Sequence, residues 1–284
     1  MKIANNCLIC GSGNVKKSGA ILMPFIADRV FDWKPFSVKK EFNLKTIKVG
    51  QVYSLCNSVY CNICHYIFLD IRFDSEEMSR LYSDYRENLY AKSREMYEPG
   101  YKKINGKLSV KLNYLCKIED FILGNIGYPK TLLDWGGNNG LNTPFNSHSD
   151  ILKSIYDISG NAVSTNFISI KNIEDLNEYD IVTCMHIFEH LPYPLKELKE
   201  IKKYIKKNGY IYIEVPYENI MKKRISSQKI LESKKHWHEH INFFSKKSLI
   251  NLLSKAGFKN VRTAVLDVNN GNKEMQVLQV IGSN

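Results

Sequence analysis

Long hydrophobic runs are missing from this chain. Its longest apolar stretch, Gly19 to Ala27, contains Pro24 and falls far short of the roughly 20 residues that span a bilayer. No charged and apolar leader occupies Met1 to Cys10, and internal repeats and low-complexity segments are absent. These absences predict a soluble, cytoplasmic protein without membrane insertion. Also missing from the glycine-rich turn at Thr131 to Gly140 is the G-x-G-x-x-G spacing by which a pyrophosphate approaches the backbone, which argues against a dinucleotide site. What the chain does have is 284 residues, enough for one α/β domain and a small extra module, and 44% apolar residues to build a core. Its 40 basic and 29 acidic residues leave a charge of +11, compatible with an anionic small-molecule substrate. Nucleic acid is disfavoured, because the lysines are scattered instead of forming a stripe with stacking aromatics. Seven cysteines, an odd number with two C-x-x-C pairs, favour metal ligation over disulfides.

Those pairs are Cys7 with Cys10 and Cys61 with Cys64. Four thiolates close a tetrahedral shell with no position for a reactive water, so the spacing predicts structural Zn2+. Cys56 and His65 lie near enough in sequence to replace one ligand. Between the knuckles, Ile21 to Tyr53 has no long helical period and reads as irregular strands and loops. Residues 1–72 are therefore expected to form a zinc-binding module. Asp74, with Glu77 three positions on, starts a helix through Met78, Leu81, Tyr82 and Tyr85. Leu108, Leu112, Leu115, Ile118 and Ile122 form the apolar stripe of a second helix. This segment, 73–127, is rich in tyrosine and arginine and reads as a helical lid or linker, open either to substrate contact or to interdomain packing.

From residue 128 to the end the pattern is that of alternating strands and helices. Thr131 to Trp135 reads as a strand that ends in a glycine-rich turn, Gly136, Gly137, Asn138 and Gly140, and opens a helix. D-x-G-x-G-x-G, with Asn138 in place of its middle glycine, resembles the first loop of S-adenosylmethionine-dependent methyltransferases of Rossmann-like fold. That resemblance implies an α/β, seven-stranded methyltransferase sheet and a loop that holds the methionine end of S-adenosylmethionine, with Asp134 balancing its ammonium. Asp157, about twenty residues on with Ile158 beside it, ends the second strand where an acid takes ribose hydroxyls. Asn172 and Ile173 fall where such enzymes place side chains against adenine. Asp180 to Cys184 is the fourth strand, and M-H-I-F-E-H-L follows it; the resemblance sets His186 near the sulfonium, with Glu189 and His190 bracing the turn. Tyr210 to Val215 reads as a fifth strand buried on alternate residues, and the C-terminus as a hairpin of Val261–Val268 and Met275–Ile281 around an Asn-Asn-Gly-Asn turn.

Three of the seven histidines crowd into K-K-H-W-H-E-H, Lys234 to His240. Imidazoles titrate near neutrality and suit general-base chemistry. The stretch resembles the matching region of nucleotide-sugar C-methyltransferases with an N-terminal zinc module, where a tyrosine precedes H-E-H. Here that position is Trp237, which cannot transfer a proton. The resemblance implies His240 as base with Glu239 as its partner; beside them His186 is the second candidate base and His238 a candidate for binding or orienting the substrate. Loss of the tyrosine favours O-methylation over C-methylation of a sugar or nucleotide-linked sugar, as in surface polysaccharide biosynthesis. Lys222, Lys223, Arg224, Lys229, Lys234 and Lys235 are available to meet phosphates. A zinc-bearing RNA methyltransferase and a non-catalytic S-adenosylmethionine-binding module remain the alternatives.

Overall fold

The computed structural model describes residues 1–43, 48–108, 110–159, 162–222, 226–269 and 274–284. Two sheets organise them. The first is built on a long antiparallel pair, β1 (Val15–Leu22) and β2 (Leu55–Cys61), continued by β3 (Ile67–Leu69). Between β1 and β2 lies helix α1 (Pro24–Phe31), which buries Phe25, Ile26 and Val30, so the segment is more regular than its sequence predicts. Next come α2 (Ser75–Tyr82), α3 (Asn88–Tyr97), α4 (Tyr101–Leu108) and α5 (Leu115–Ile126). Asp74 and Glu77 form the expected capping box on α2, each accepting the other's backbone N–H at 3.0 and 2.8 Å. The stripe expected from Leu108 to Ile122 is not one helix: α5 begins at Leu115 and buries Leu115, Ile118 and Ile122.

The second sheet has seven strands, as expected. They are β4 (Thr131–Trp135), β5 (Leu152–Tyr156), β6 (Ile168–Ile170), β7 (Tyr179–Met185) and β8 (Ile205–Pro216), closed by the hairpin β11 (Lys259–Asn269) and β12 (Glu274–Ser283). Their order is β6-β5-β4-β7-β8-β12-β11, and β12 runs antiparallel to β8. The tip of the C-terminal hairpin lies outside the described residues. Helix α6 (Pro194–Ile201) starts with proline in its first turn, and α7 (Ser227–Ser233) and α8 (Lys246–Lys255) are capped by Ser226 and Ser245. The fifth strand departs from alternate burial. Every residue from Ile211 to Pro216 is buried, because a central strand is covered on both faces.

A larger departure follows β4. Residues 136–150 form successive turns where a helix was expected, with Asn138 and Phe145 at φ of 51° and 60°. Left-handed residues cannot continue an α-helix, and Pro144 brings no N–H to one. The buried Phe145 is held by its backbone N–H, which donates to Glu119 Oε1 at 2.6 Å. Residues 136–150 therefore supply no helix N-terminus behind the glycine-rich turn.

The first sheet is not built from residues 1–72 alone. Its edges are β9 (His236–Trp237), parallel to β1, and β10 (Asn242–Phe243), antiparallel to β3. Between them passes the histidine-rich stretch. Trp237, completely buried, donates its indole N–H to Ser58 Oγ at 2.8 Å, which makes it a core residue. One apolar core runs from the cysteine knuckles through Tyr66 and Phe244 to Leu249 and Leu252 of α8 and on to Val182 and Ile213 of the second sheet.

Candidate active site

Strand order reverses between β4 and β7, and in open α/β sheets ligands bind at the carboxyl ends beside such a switch point. Asp134 lies there, buried. It accepts Thr143 Oγ1 at 2.6 Å and Thr183 Oγ1 at 2.9 Å, and burial pushes its pKa up to about 6. The glycines of the turn leave no room for a side chain. A Cβ on Gly137 would stand 2.6 Å from Asp134 Oδ2, one on Gly136 2.3 Å from Ile187, and one on Gly140 2.6 Å from Phe167. Asn138 replaces a glycine by adopting the left-handed conformation that asparagine tolerates. Its backbone N–H donates to Asp157 Oδ2 at 2.8 Å, and Ser159 N–H donates to Oδ1 at 2.7 Å. Asp157 is thereby fastened to the loop that covers Asp134. β6 runs parallel to β5 with Ile170 opposite Tyr156, so Asn172 and Ile173 emerge at the same edge as Asp157 and Ile158. Asn172 caps a single turn and donates to Asp175 Oδ2 at 3.0 Å, while Ile158 is largely exposed.

Beyond β7, His186 sits between two acids. Its Nε2 is 3.1 Å from Glu214 Oε1 and its Nδ1 is 3.4 Å from Glu189 Oε1. Burial opposes charge on this ring, yet Glu189 and Glu214 outweigh it and push the pKa up to about 10. With both nitrogens facing carboxylates, His186 offers no lone pair to a proton, contrary to its expected role as second base. Glu214 also accepts Tyr114 Oη at 3.0 Å and Tyr212 Oη at 2.9 Å. The sequence did offer a signal for it, an acid inside the apolar run I-Y-I-E-V-P.

The histidine-rich stretch splits into two groups. His238 and Glu239 face the helices of 73–127. Glu239 hydrogen-bonds Tyr90 and accepts Arg94 Nη1 at 2.9 Å, and burial pushes it up to about 7. His238 pairs with Glu98 and stacks on Phe25 with ring centroids 6.1 Å apart. Glu239 is therefore not the orienting partner of His240; Glu218 is the acid beside it, with Oε1 3.8 Å from His240 Nδ1. His240 faces His190, their ring centroids 4.7 Å apart at 84°. His190 Nδ1 lies 2.8 Å from Tyr82 Oη and 3.1 Å from the Glu239 carbonyl, and burial lowers its pKa to about 3. Within the upstream basic run, Lys223 and Arg224 fall outside the described residues. Lys234 is buried 4.3 Å from the ring centroids of both Trp237 and Phe243, and burial lowers its pKa to about 8.

At the other face of the first sheet, the sulfurs of Cys7, Cys10, Cys61 and Cys64 lie within 4.8 Å of one another. Cys7 and Cys64 are 3.5 Å apart, Cys10 and Cys61 3.6 Å. Zn–S bonds of about 2.3 Å make a tetrahedron with edges of about 3.8 Å, which these spacings fit. Cys56 and His65 stand outside the cluster. Among the described residues, no helix is long and apolar enough to cross a membrane.

Comparison with known proteins agrees with this geometry. A family model described as a methyltransferase domain matches residues 109–263, more than half of the chain. The ubiquinone biosynthesis O-methyltransferase of Aliivibrio fischeri is 27% identical over 90 residues, 30% of this chain, and the chain spans 38% of the length of that curated relative. The 1,6-didemethyltoxoflavin-N1-methyltransferase of Burkholderia thailandensis was solved with 1,6-didemethyltoxoflavin and S-adenosylhomocysteine bound. It is 12% identical, with a TM-score of 0.51 over 88% of this chain and 98% of that one, and shares its fold. A methyltransferase from Archaeoglobus fulgidus, 17% identical, covers 60% of this chain and 92% of its own with a TM-score of 0.44. The matched family, together with a seven-stranded sheet whose glycine-rich turn leaves its first strand, places this chain among the S-adenosylmethionine-dependent methyltransferases.

Proposed function

We propose that the chain transfers the methyl group of S-adenosylmethionine to a hydroxyl oxygen of a small polar acceptor, a sugar or nucleotide-linked sugar. The observation that carries this proposal is the shared edge. Asp134, Asp157 and the glycine-rich turn stand at the carboxyl ends of β4 and β5, and His186, His190 and His240 gather beyond the end of the adjoining β7. In this assignment Gly136, Gly137, Asn138 and Gly140 line the methionine end, and Asp134 balances the ammonium through Thr143 and Thr183. Asp157 takes the ribose hydroxyls with lone pairs left over from its two backbone donors, and Ile158, Asn172 and Ile173 flank adenine.

The sulfonium already activates the methyl group, so the protein needs to align the acceptor and see one proton removed. His240 is the residue on which proton removal depends: its side chain is 39% exposed, whereas His186 is locked between acids and His238 is turned to Glu98. Trp237 buried in the core supports oxygen over carbon as the target, because no tyrosine hydroxyl stands beside the histidines from that position. Zinc at the four cysteines completes the proposal as a structural ion that holds the first sheet, which in turn carries the histidine stretch between β9 and β10.

The test is a mass-spectrometric methylation assay over a panel of activated sugars. Gain of one methyl on at least one, lost in His240→Ala, is the expected result; no gain on any overturns the acceptor class.

A further inference from the structure

Among the buried acids of this site one is unsatisfied. Asp134 accepts two threonine hydroxyls, Glu214 two tyrosine hydroxyls, and Glu239 a tyrosine and an arginine. Glu189 is 2% exposed, and neither of its carboxylate oxygens accepts a hydrogen bond. His186 Nδ1 stands 3.4 Å from Oε1 without hydrogen-bond alignment. Facing the charged His186 ring without an aligned hydrogen bond, the buried carboxylate keeps lone pairs that a water or a cation can take.

Two imidazoles converge on the same point. Donor atoms of Glu189, His190 and His240 lie within 4.8 Å of one another. His190 Nδ1 lies 3.1 Å from the Glu239 carbonyl and 2.8 Å from Tyr82 Oη, and with Nδ1–H donated to that carbonyl Nε2 keeps its lone pair. That arrangement is the one by which metal-ligating histidines are commonly oriented. Glu218 lies 3.8 Å from His240 Nδ1, within ion-pair distance of the second ring though beyond a hydrogen bond. The scaffold is rigid: Ile241 N–H and Asn242 N–H donate to the Glu189 carbonyl at 2.8 and 3.0 Å, and Asn242 Nδ2 donates to the carbonyls of Phe188 and Leu191 at 2.9 and 2.7 Å. These bonds tie the segment after β7 to the turn before β10.

We propose that Glu189, His190 and His240 hold a divalent first-row transition-metal ion. Two histidines and one carboxylate occupy one side of such an ion and leave its other positions open, unlike the closed cysteine shell. Bound there, the ion takes the acceptor hydroxyl as a further ligand and lowers its pKa, and the proton leaves to water. The oxygen then forms its bond to the methyl carbon as the carbon–sulfur bond breaks, releasing S-adenosylhomocysteine. His240 thus serves proton removal as a ligand. This catalytic role rests on the acceptor placement proposed above, whereas the ion site itself does not.

Binding of Mn2+ to the purified, zinc-containing protein, followed by electron paramagnetic resonance without acceptor, tests the site. One saturable Mn2+ per chain is expected, weakened at least about tenfold in Glu189→Gln while S-adenosylhomocysteine binding and Tm are retained. Should Glu189→Gln fail to fold, His240→Asn, whose side chain is partly exposed, carries the same expectation. No saturable Mn2+ binding, or binding unchanged in the folded variants, overturns the site. Mn2+ binding without methylation of any sugar upholds it and sinks only the acceptor. Full methylation in EDTA with the cysteine zinc retained overturns the ion's role in the reaction.

Discussion

Two ligand clusters in this molecule differ in every respect that matters to function. The four cysteines come from two knuckles, are nearly all buried, and exhaust a tetrahedral shell. Glu189, His190 and His240 come from two loops fifty residues apart, keep one partly exposed side, and fill half a shell at most. A closed set of soft thiolates stabilises, and an open set of nitrogen and oxygen donors leaves room for chemistry. With the ions proposed for them, the first cluster would hold the fold and the second would act on the acceptor, and each predicts a distinct failure when broken.

The largest effect is expected at the closed cluster. Cys61→Ser, at a fully buried ligand, should release the zinc and unfold the first sheet, since structural zinc contributes on the order of 10 kcal/mol. Zinc content and thermal unfolding check this; a zinc-free variant with an unchanged Tm would erase the contrast.

At the open cluster the loss should be catalytic. His240→Ala is expected to lower kcat by about 10²–10⁴ with Tm nearly unchanged, as measured by steady-state kinetics beside calorimetry. An equal fall in Tm would make His240 a structural residue like Trp237.

A smaller effect is expected at Asp134. Because its pKa is raised to about 6 in the folded state, the native protein binds more protons than the unfolded chain between about pH 4 and 6, so the stability this group contributes is lost as pH rises through 6. Asp134→Asn should flatten that part of the pH–Tm curve. It should also weaken S-adenosylhomocysteine about tenfold at pH 8, by calorimetric titration, through loss of the charge that meets the ammonium. In the wild type, affinity should fall as pH drops below about 6, where Asp134 takes up its proton.

The smallest is expected from Trp237→Phe, which removes the hydrogen bond to Ser58 at a cost of about 1 kcal/mol and leaves kcat unchanged. A large loss of kcat with intact Tm would return position 237 to the chemistry.

Legibility in the sequence follows how local each feature is. The C-x-x-C pairs, the capping box at Asp74, the glycine-rich turn and the acid ending the second strand were readable, because each is a few residues whose spacing carries its own geometry. The absent helix after Gly140 was not, although Pro144 and its neighbouring asparagines and serines hinted at turns; the tertiary contact that holds Phe145 through Glu119 decided it. The histidine stretch was noticed as a whole, yet the partner of each ring depends on elements far away in the chain. Tyr82 meets His190 and Glu218 meets His240, whereas Glu239, adjacent in sequence, turns to Arg94. Glu239 sits at a bend between the two short strands, and the chain turns His240 away from it there.

By itself, then, the sequence determined the fold class, the grouping of the four cysteines and the strand ends that carry Asp134 and Asp157, since periodicity and short-range spacing dictate strands, turns and knuckles. Only the tertiary structure decided that His186 is held between two acids, that Glu189 is left without a hydrogen bond, and that His190 and His240 face one another. Those facts arise where strands distant in the chain are brought side by side, and burial there sets which charges find partners.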